Sequence, residues 1–247
     1  GLTQGQINIM KRARQMTEVK WTPLYDRYQW GYMGVFRAGT TYSGLPYGQP
    51  ISARYVGYTA SINDFVAAVE DADSRMYKEY SLYNQVAPYF SNDCSAFVSY
   101  AWGIGSRKTT YSLPSVARRI KDISLESLEV GDCLNDLTSH VILIGGILKD
   151  ESGKVKTLEE TTPMTKHTVY GDGGTKSLDY FISYYFDRGY MIYRNLTREG
   201  VYYKHSCAVP IDGDYCDKCR DAAPFISVRA SGSERMVSLM AEGNEIY

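Results

Sequence analysis

No stretch of this sequence approaches the roughly 20 consecutive apolar residues with which a helix crosses a bilayer, and no secretory hydrophobic segment is present. A transmembrane helix is therefore not expected. The first residue is Gly1 and not methionine, which reads as a processed or recombinant start, so the missing leader leaves export open. Neither sign of charge is in excess: 27 Lys and Arg stand against 28 Asp and Glu, a net charge of −1. Such a balance has no polyelectrolyte character, and no nucleic-acid partner is expected. Glycine never falls into a phosphate-cradling loop and no segment repeats, which removes the common nucleotide-binding motifs and the solenoids. Cysteine is sparse, with five in the chain and three of them crowded beyond residue 200.

What remains is an ordinary globular composition. Of 247 residues 44% are hydrophobic, enough for one large or two small domains with a substantial core. The 23 tyrosines are the one excess; their amphipathic rings suit a surface that handles sugars or peptides, and packing is the simpler account. Thr3 to Glu18 sets Ile7, Ile9, Met10, Ala13 and Met16 between Lys11, Arg12 and Arg14, an amphipathic helix with a solvated basic face. Residues 21–49, rich in aromatics and glycine, read as irregular structure with short strands. Ser61 caps a helix carrying Phe65, Val66, Val69, Ala72 and Met76, which reaches towards Tyr83 and is closed by Pro88. Leu113 to Ile120 reads as a short helix with Pro114 near its start. Gly131-Asp132 turns into a strand on which Cys133 is a buried structural thiol. Ser177 to Asp187 reads as a helix or long turn, Gly189 to Arg194 as a closing strand, and His167 as part of a polar surface loop.

The chemistry concentrates in two places. Ser91 reads as an N-cap, after which Cys94, Phe97, Val98, Ala101 and Trp102 recur at helical spacing. Cys94 then sits in the first turn, where unpaired N–H groups and the positive end of the helix dipole favour a thiolate. A core cysteine at the start of an apolar stripe has the same appearance. Downstream, His140 opens the β-branched run Val141 to Leu148, a buried strand; Lys149 to Lys154 turns around Gly153, and Val155 to Glu160 alternates as the returning strand. If Lys149 pairs with Lys154, Glu159 falls opposite Ile144 on the face of His140, and Glu160 points away. A one-residue change in the turn exchanges the two, so both stay open. Thiol, imidazole and carboxylate are the nucleophile, base and orienter of thiol catalysis.

With these residues in view the sequence resembles the NlpC-like cell-wall peptidases, a bacterial branch of the papain-like cysteine peptidases. The resemblance lies in Gly44-Leu45-Pro46-Tyr47, Asn92-Asp93-Cys94-Ser95-Ala96-Phe97-Val98, Leu128-Glu129-Val130-Gly131-Asp132 and His140-Val141-Ile142-Leu143-Ile144-Gly145, in the family's order over about residues 40–195. Ala96 stands where the family has glycine, and the gap between Tyr47 and Asp93 is longer than usual. The resemblance implies an α+β papain-like fold, with a central antiparallel sheet and the Cys94 helix packed on it. It implies hydrolysis of an amide bond in peptidoglycan stem peptides beside D-glutamate, of the L-Ala-γ-D-Glu endopeptidase type. Cys94 would be the nucleophile, His140 the base and Glu159 the orienter; Tyr47, Asp93 and Ser95 would face the substrate, the last two meeting the free amine of a terminal L-alanine. Capping is the plainer role for Asp93 and Ser95, and a turn position for Tyr47.

No cofactor and no metal are expected at that site, and a monomer acting outside the cell or in its envelope is. Residues 1–39 would form a helical N-terminal segment, 40–195 the catalytic domain with a helical insertion at about 60–88, and 196–247 a cysteine-containing extension. There His205 with Cys207, Cys216 and Cys219 could ligate zinc, but the spacing is irregular, and in an exported protein a disulfide from Cys207 to Cys216 or Cys219 is the simpler account. Two other functions fit the same residues: an N-acetylmuramoyl-L-alanine amidase or related thiol acyltransferase, and a cell-wall binding module without turnover.

Overall fold

A computed structural model describes residues 2–32, 34–50, 54–78, 90–149 and 153–195, together with the backbone of three strands between 226 and 246. The fold is α+β. Helix α1 (Gln4–Thr17) starts where the Thr3 hydroxyl accepts the Gln6 N–H at 3.2 Å and the Gln6 side chain accepts the Thr3 N–H at 2.8 Å, a reciprocal cap. Its buried face, with Ile9, Met10, Ala13 and Met16, lies against the cysteine-bearing helix, while α2 (Ile62–Glu70) packs Phe65 and Val69 into the same core. Trp21 joins the two regions: its ring meets Phe36 at 4.9 Å and Phe65 at 5.5 Å, and its indole N–H donates to the Gly44 carbonyl at 2.7 Å. Residues of the first 39 therefore share one core with those that follow.

The cysteine helix is α3 (Cys94–Ala101). Its C-terminal carbonyls are met by α1, where Arg12 Nε donates to Tyr100 O at 3.1 Å and to Ala101 O at 2.9 Å, a cation at the negative end of the dipole. Trp102 follows it, donating to Gly131 O at 2.8 Å. Both helices lie on one face of a six-stranded antiparallel sheet. Its strands are β1 (Ala117–Ile120), β2 (Cys133–Asn135), β3 (Val141–Leu148), β4 (Lys154–Glu160), β5 (Thr165–Gly171) and β6 (Met191–Asn195), in the order β5-β4-β3-β2-β6-β1. Val141, Leu143 and Leu158 face the helices; Ile142, Ile144 and Val155 face the other side, covered by the helix Leu178–Phe181 and its π-helical continuation Ile182–Phe186. Alternation along β3 thus feeds two apolar layers, which is why the strand reads as continuously hydrophobic.

Several expectations are corrected. Only Leu113–Val116 turns, as a 3-10 helix; Ala117–Ile120 is extended and pairs with β6, since sheet pairing outweighs the helix preference of its arginines. The helix after Ser61 ends at Glu70 because Asp71 turns the chain, its carboxylate accepting the Asp73 N–H at 2.9 Å; a separate short helix covers Arg75–Lys78. His167 lies on β5 opposite Leu158, with its side chain exposed, and not in a loop. Cys133 is a fully buried free thiol, as expected. Tyr83 and Pro88 lie outside the described residues, as do Cys207, Cys216 and Cys219 with the disulfide or zinc expected of them. The strands Ile226–Ser231, Glu234–Ala241 and Asn244–Ile246 form an antiparallel meander. Among the described residues no helix is long and apolar enough to cross a membrane.

The Gly-Asp turn has a structural task. Asp132, fully buried, accepts Arg194 Nε at 2.9 Å and Nη2 at 2.8 Å and also the Glu129 N–H at 2.9 Å, tying the turn before β2 to β6. Without Asp132, Arg194 keeps Glu129 Oε1 at 2.8 Å but loses two bonds to a fully buried carboxylate, so Asp132→Ala should cost on the order of 3 kcal/mol in urea unfolding. An unchanged midpoint would show the pair to be dispensable.

Candidate active site

The first turn of α3 is built two residues later than the sequence signal. Ser91 and Asn92 are still extended: Val56 N–H donates to Ser91 O at 3.1 Å, Asn92 N–H to Pro46 O at 3.1 Å and Gly48 N–H to Asn92 O at 3.0 Å. With those groups committed, the helix can open only at Asp93, which is the N-cap, its Oδ1 accepting the Ala96 N–H at 2.8 Å. Cys94 is the first helical residue and is 6% exposed.

His140 is held by the turn before β3. Asp136 Oδ1 accepts the N–H groups of Thr138, Ser139 and His140 at 2.9, 2.8 and 3.0 Å, and the Ser139 hydroxyl donates to Oδ2. Burial would raise the Asp136 carboxyl, but these donors outweigh it and hold the group down at about 2. The turn passes through Leu137 at φ 69°, a left-handed position uncommon for leucine, and Asn135 Oδ1 steadies it by accepting the Leu137 N–H at 2.9 Å. This carboxylate escaped the sequence reading, although an Asp two to four residues ahead of Thr, Ser and His is an Asx-turn signal.

The register between β3 and β4 decides which glutamate reaches His140. The turn slips by one from the simple expectation: Lys154 pairs with Leu148 and Lys156 with Gly146. Continued unchanged, that register would bring Glu160 opposite Ile142, on the face of His140. Instead the ladder passes over Gly145, so that Thr157 pairs with Ile144 and Leu158 with Leu143, and Glu159 arrives at the level of Ile142. Glycine is required there, since a Cβ at 145 would stand 2.8 Å from Leu158 Cγ.

Glu159 Oε2 lies 2.6 Å from His140 Nε2. That leaves Nδ1 as the ring nitrogen available to Cys94, which lies near enough to raise the imidazole's pKa. Burial alone would pull the imidazole down, but the hydrogen bonds and negative charge of Cys94 and Glu159 outweigh it and push His140 up to about 10. Glu160 has the opposite environment. It points to the helix side, is fully buried, and neither carboxyl oxygen has a hydrogen-bond partner among the described residues. Burial first, then the charges of Asp93, Cys94 and Glu159, push its carboxyl well above the usual range, which favours its neutral form.

The remaining expected residues also gather here. Tyr47, half-buried, feels Cys94, Asp93 and Glu160; burial and those charges push its phenol up to about 12, which keeps the hydroxyl a neutral donor. Asp93 is 4% exposed and crowded with donors: Ser95 Oγ at 3.1 Å and Ala96 N–H on Oδ1, Tyr55 OH at 3.0 Å and Arg107 Nη1 at 3.4 Å on Oδ2. The four acceptor directions of the carboxylate are thus occupied from within the protein, and the Ser95 hydroxyl with them. Arg107, which stacks 4.4 Å above the Tyr55 ring, and Tyr55 itself had no signal in the sequence. Among the described residues no cluster of three or more His, Cys, Asp or Glu side chains could hold a metal ion.

The two glutamates separate in a titration that needs no turnover. By NMR, Glu159→Gln should drop the His140 pKa towards the ordinary 6.5 and Glu160→Gln should leave it high; the reverse would exchange their roles. Because the folded value of His140 is raised, the stability its proton confers is complete below about pH 6.5 and drains as pH climbs through 10. The buried Glu160 carboxyl, also raised, penalises the folded state in the same direction. Unfolding free energy should therefore fall steadily on the alkaline side, and more shallowly in Glu159→Gln; parallel pH curves would contradict the coupling.

Comparison with protein-family models, with curated proteins and with solved structures finds no match for this chain.

Proposed function

We propose that this chain is a cysteine hydrolase of papain-like type that cuts an amide bond of peptidoglycan stem peptides beside D-glutamate, outside the cell or in its envelope. The observation that carries the hydrolase reading is the convergence of Cys94, His140 and Glu159 at a helix start and the rim of an antiparallel sheet, with His140 hydrogen-bonded to Glu159 and Cys94 raising the pKa of the same imidazole. The substrate class rests on the likeness of segments 44–47, 92–98, 128–132 and 140–145 to the NlpC-like peptidases.

In the acylation step Cys94 Sγ attacks the scissile carbonyl carbon while His140 holds the thiol proton. The oxyanion forms beside the Cys94 backbone N–H, which as the first of the helix has no intrahelical acceptor. Collapse breaks the C–N bond, and the leaving amine takes the proton from His140, leaving a thioester. Water then gives a proton to His140 and attacks the thioester carbon, and the carboxylate leaves as the thiol re-forms. Glu159 fixes the ring plane and balances its charge through both steps; Tyr47 lines the approach to the sulfur.

Asp93 can meet a substrate ammonium without ever being left unpaired if Arg107, its longest contact at 3.4 Å, gives way. One cation then replaces another, and the buried carboxylate stays compensated.

Two tests follow. Cys94→Ala should abolish release of peptide fragments from purified peptidoglycan, read by mass spectrometry, with unfolding close to wild type, whereas Cys133→Ala should retain the activity. Turnover persisting without the Cys94 thiol would end the hydrolase reading, and cleavage at the lactyl amide would make the protein an amidase. For Asp93, a free-amine stem peptide should be preferred over its N-acetylated twin. Arg107→Gln should widen that preference and Asp93→Asn shrink it, by roughly 1–3 kcal/mol, the scale of a hydrogen bond to a charged group. Equal cleavage of both twins in all three proteins would leave Asp93 as a helix cap alone.

A further inference from the structure

On the sheet face opposite α3, His140 and Glu159 form one wall of a cavity of about 370 Å³ whose other walls come from β5 and the helical run after Ser177. We infer that this cavity binds a free carboxylate on the leaving half of the substrate peptide, an assignment that rests on the hydrolase reading above.

Three cations line it, Lys166, Lys176 and Arg188, and none has a carboxylate partner among the described residues. The lining does contain one carboxylate, Glu159, but it is committed to His140 at 2.6 Å. Two of the cations are ordered without being neutralised. Lys176 Nζ stands 4.2 Å over the Tyr180 ring, the Arg188 guanidinium 4.4 Å over the Tyr184 ring, and the two rings stack at 5.6 Å with only 11° between their planes. The four residues recur every fourth position: Tyr180 and Tyr184 lie on the helical run, Lys176 on the bridge to Tyr170 just before it and Arg188 in the turn just after it. An ion pair would cancel the charge it positions; a ring orders the cation and leaves its charge available to an anion. The rings that do this are partly exposed, 39% for Tyr180 and 36% for Tyr184, while Tyr170 and Tyr185 beneath them are buried and act as packing.

Position selects the leaving half. The lining includes His140, which hands its proton to the departing amine, and does not include Cys94, which keeps the acyl half. Amide hydrolysis of a peptide supplies a suitable ligand, because the segment beyond the cut amide ends in a carboxylate. That group can lie between the unpaired cations with its aliphatic flank on the rings.

The test uses the Cys94→Ala protein, so that binding is read without turnover. Its ligands are the peptide L-Ala-γ-D-Glu-L-Lys-D-Ala and the same peptide ending in D-alaninamide. By calorimetry at low salt the carboxylate form should bind roughly tenfold tighter, with the gap closing as salt is raised. The double variant Lys176→Gln/Arg188→Gln should erase the gap while leaving the affinity for the amide form unchanged, and Lys166→Gln should narrow it. Equal binding of the two peptides, or a preference that survives the double variant, overturns the assignment. The wild-type protein separates this failure from that of the hydrolase reading. Cleavage of both peptides with equal kcat/KM sinks the carboxylate site alone. No cleavage of either, with the binding preference intact, sinks the hydrolase and leaves an acidic-peptide site standing.

Discussion

The pairing of β3 with β4 carries a one-residue offset partway along its length, and the geometry of the site depends on where that offset falls. Side chains alternate between the two faces of a strand, so a ladder kept in step from Lys154–Leu148 to its end would present Glu160 to His140 and bury Glu159. Passing over Gly145 reverses the outcome for the last residues alone, leaving the apolar layers on both sides correctly filled by Leu143, Ile144, Val155 and Leu158. The close approach of Leu158 fixes where the skip occurs, because only a residue without a Cβ fits beneath it. A packing constraint in the core thereby sets the position of a carboxylate at the rim.

The two adjacent glutamates then acquire opposite electrostatics from their faces. Glu159 meets the His140 ring and favours its protonated form. Glu160, one residue on, enters a dry space bordered by the Asp93 carboxylate and the Cys94 sulfur, where a further negative charge would find no donor among the described residues. Keeping Glu160 neutral has a benefit for the thiol: an ionised Glu160 would repel a developing thiolate, and a neutral one does not. Such a division, in which neighbouring titratable groups are driven apart by environment, is a common basis for acid and base chemistry at one pH.

The central parts of this arrangement were legible in the sequence, and the peripheral parts were not, for reasons that differ by residue. Val141 to Leu148 announced itself because both faces of β3 are buried, and the apolar face of α3 did so through helical spacing. The two outermost strands, β1 and β5, were misread as helix and loop. An edge strand pairs on one side only and carries charged residues such as Arg118, Arg119, Lys166 and His167, so the period-two pattern is lost. The cap moved from Ser91 to Asp93 because Ser91 was already spent in pairing with distant residues, which no local propensity records. Glu159 was named on the supposition of a simple turn. The real turn slips by one and the skip at Gly145 adds a second slip in the same direction, so Glu159 stands two residues from the expected partner but on the same face, because side chains alternate with period two.

The tyrosine excess resolves along the same lines. Sequence composition offered packing and ligand surface as alternatives, and the helical run after Ser177 contains both, divided by its own periodicity. Phe181 and Tyr185 turn inward and fill the layer against Ile142, Ile144 and Tyr170, while Tyr180 and Tyr184 turn outward and stack between Lys176 and Arg188. Rings used only for packing have no reason to be interleaved with unpaired cations at a constant four-residue spacing. The inward set holds the run against the sheet face from which His140 and Glu159 project, so the same element that buries the second core also brings ordered positive charge to the imidazole's side of the site. Packing supplies the rigidity, and the cations that flank the exposed rings at either end of the run supply the charge.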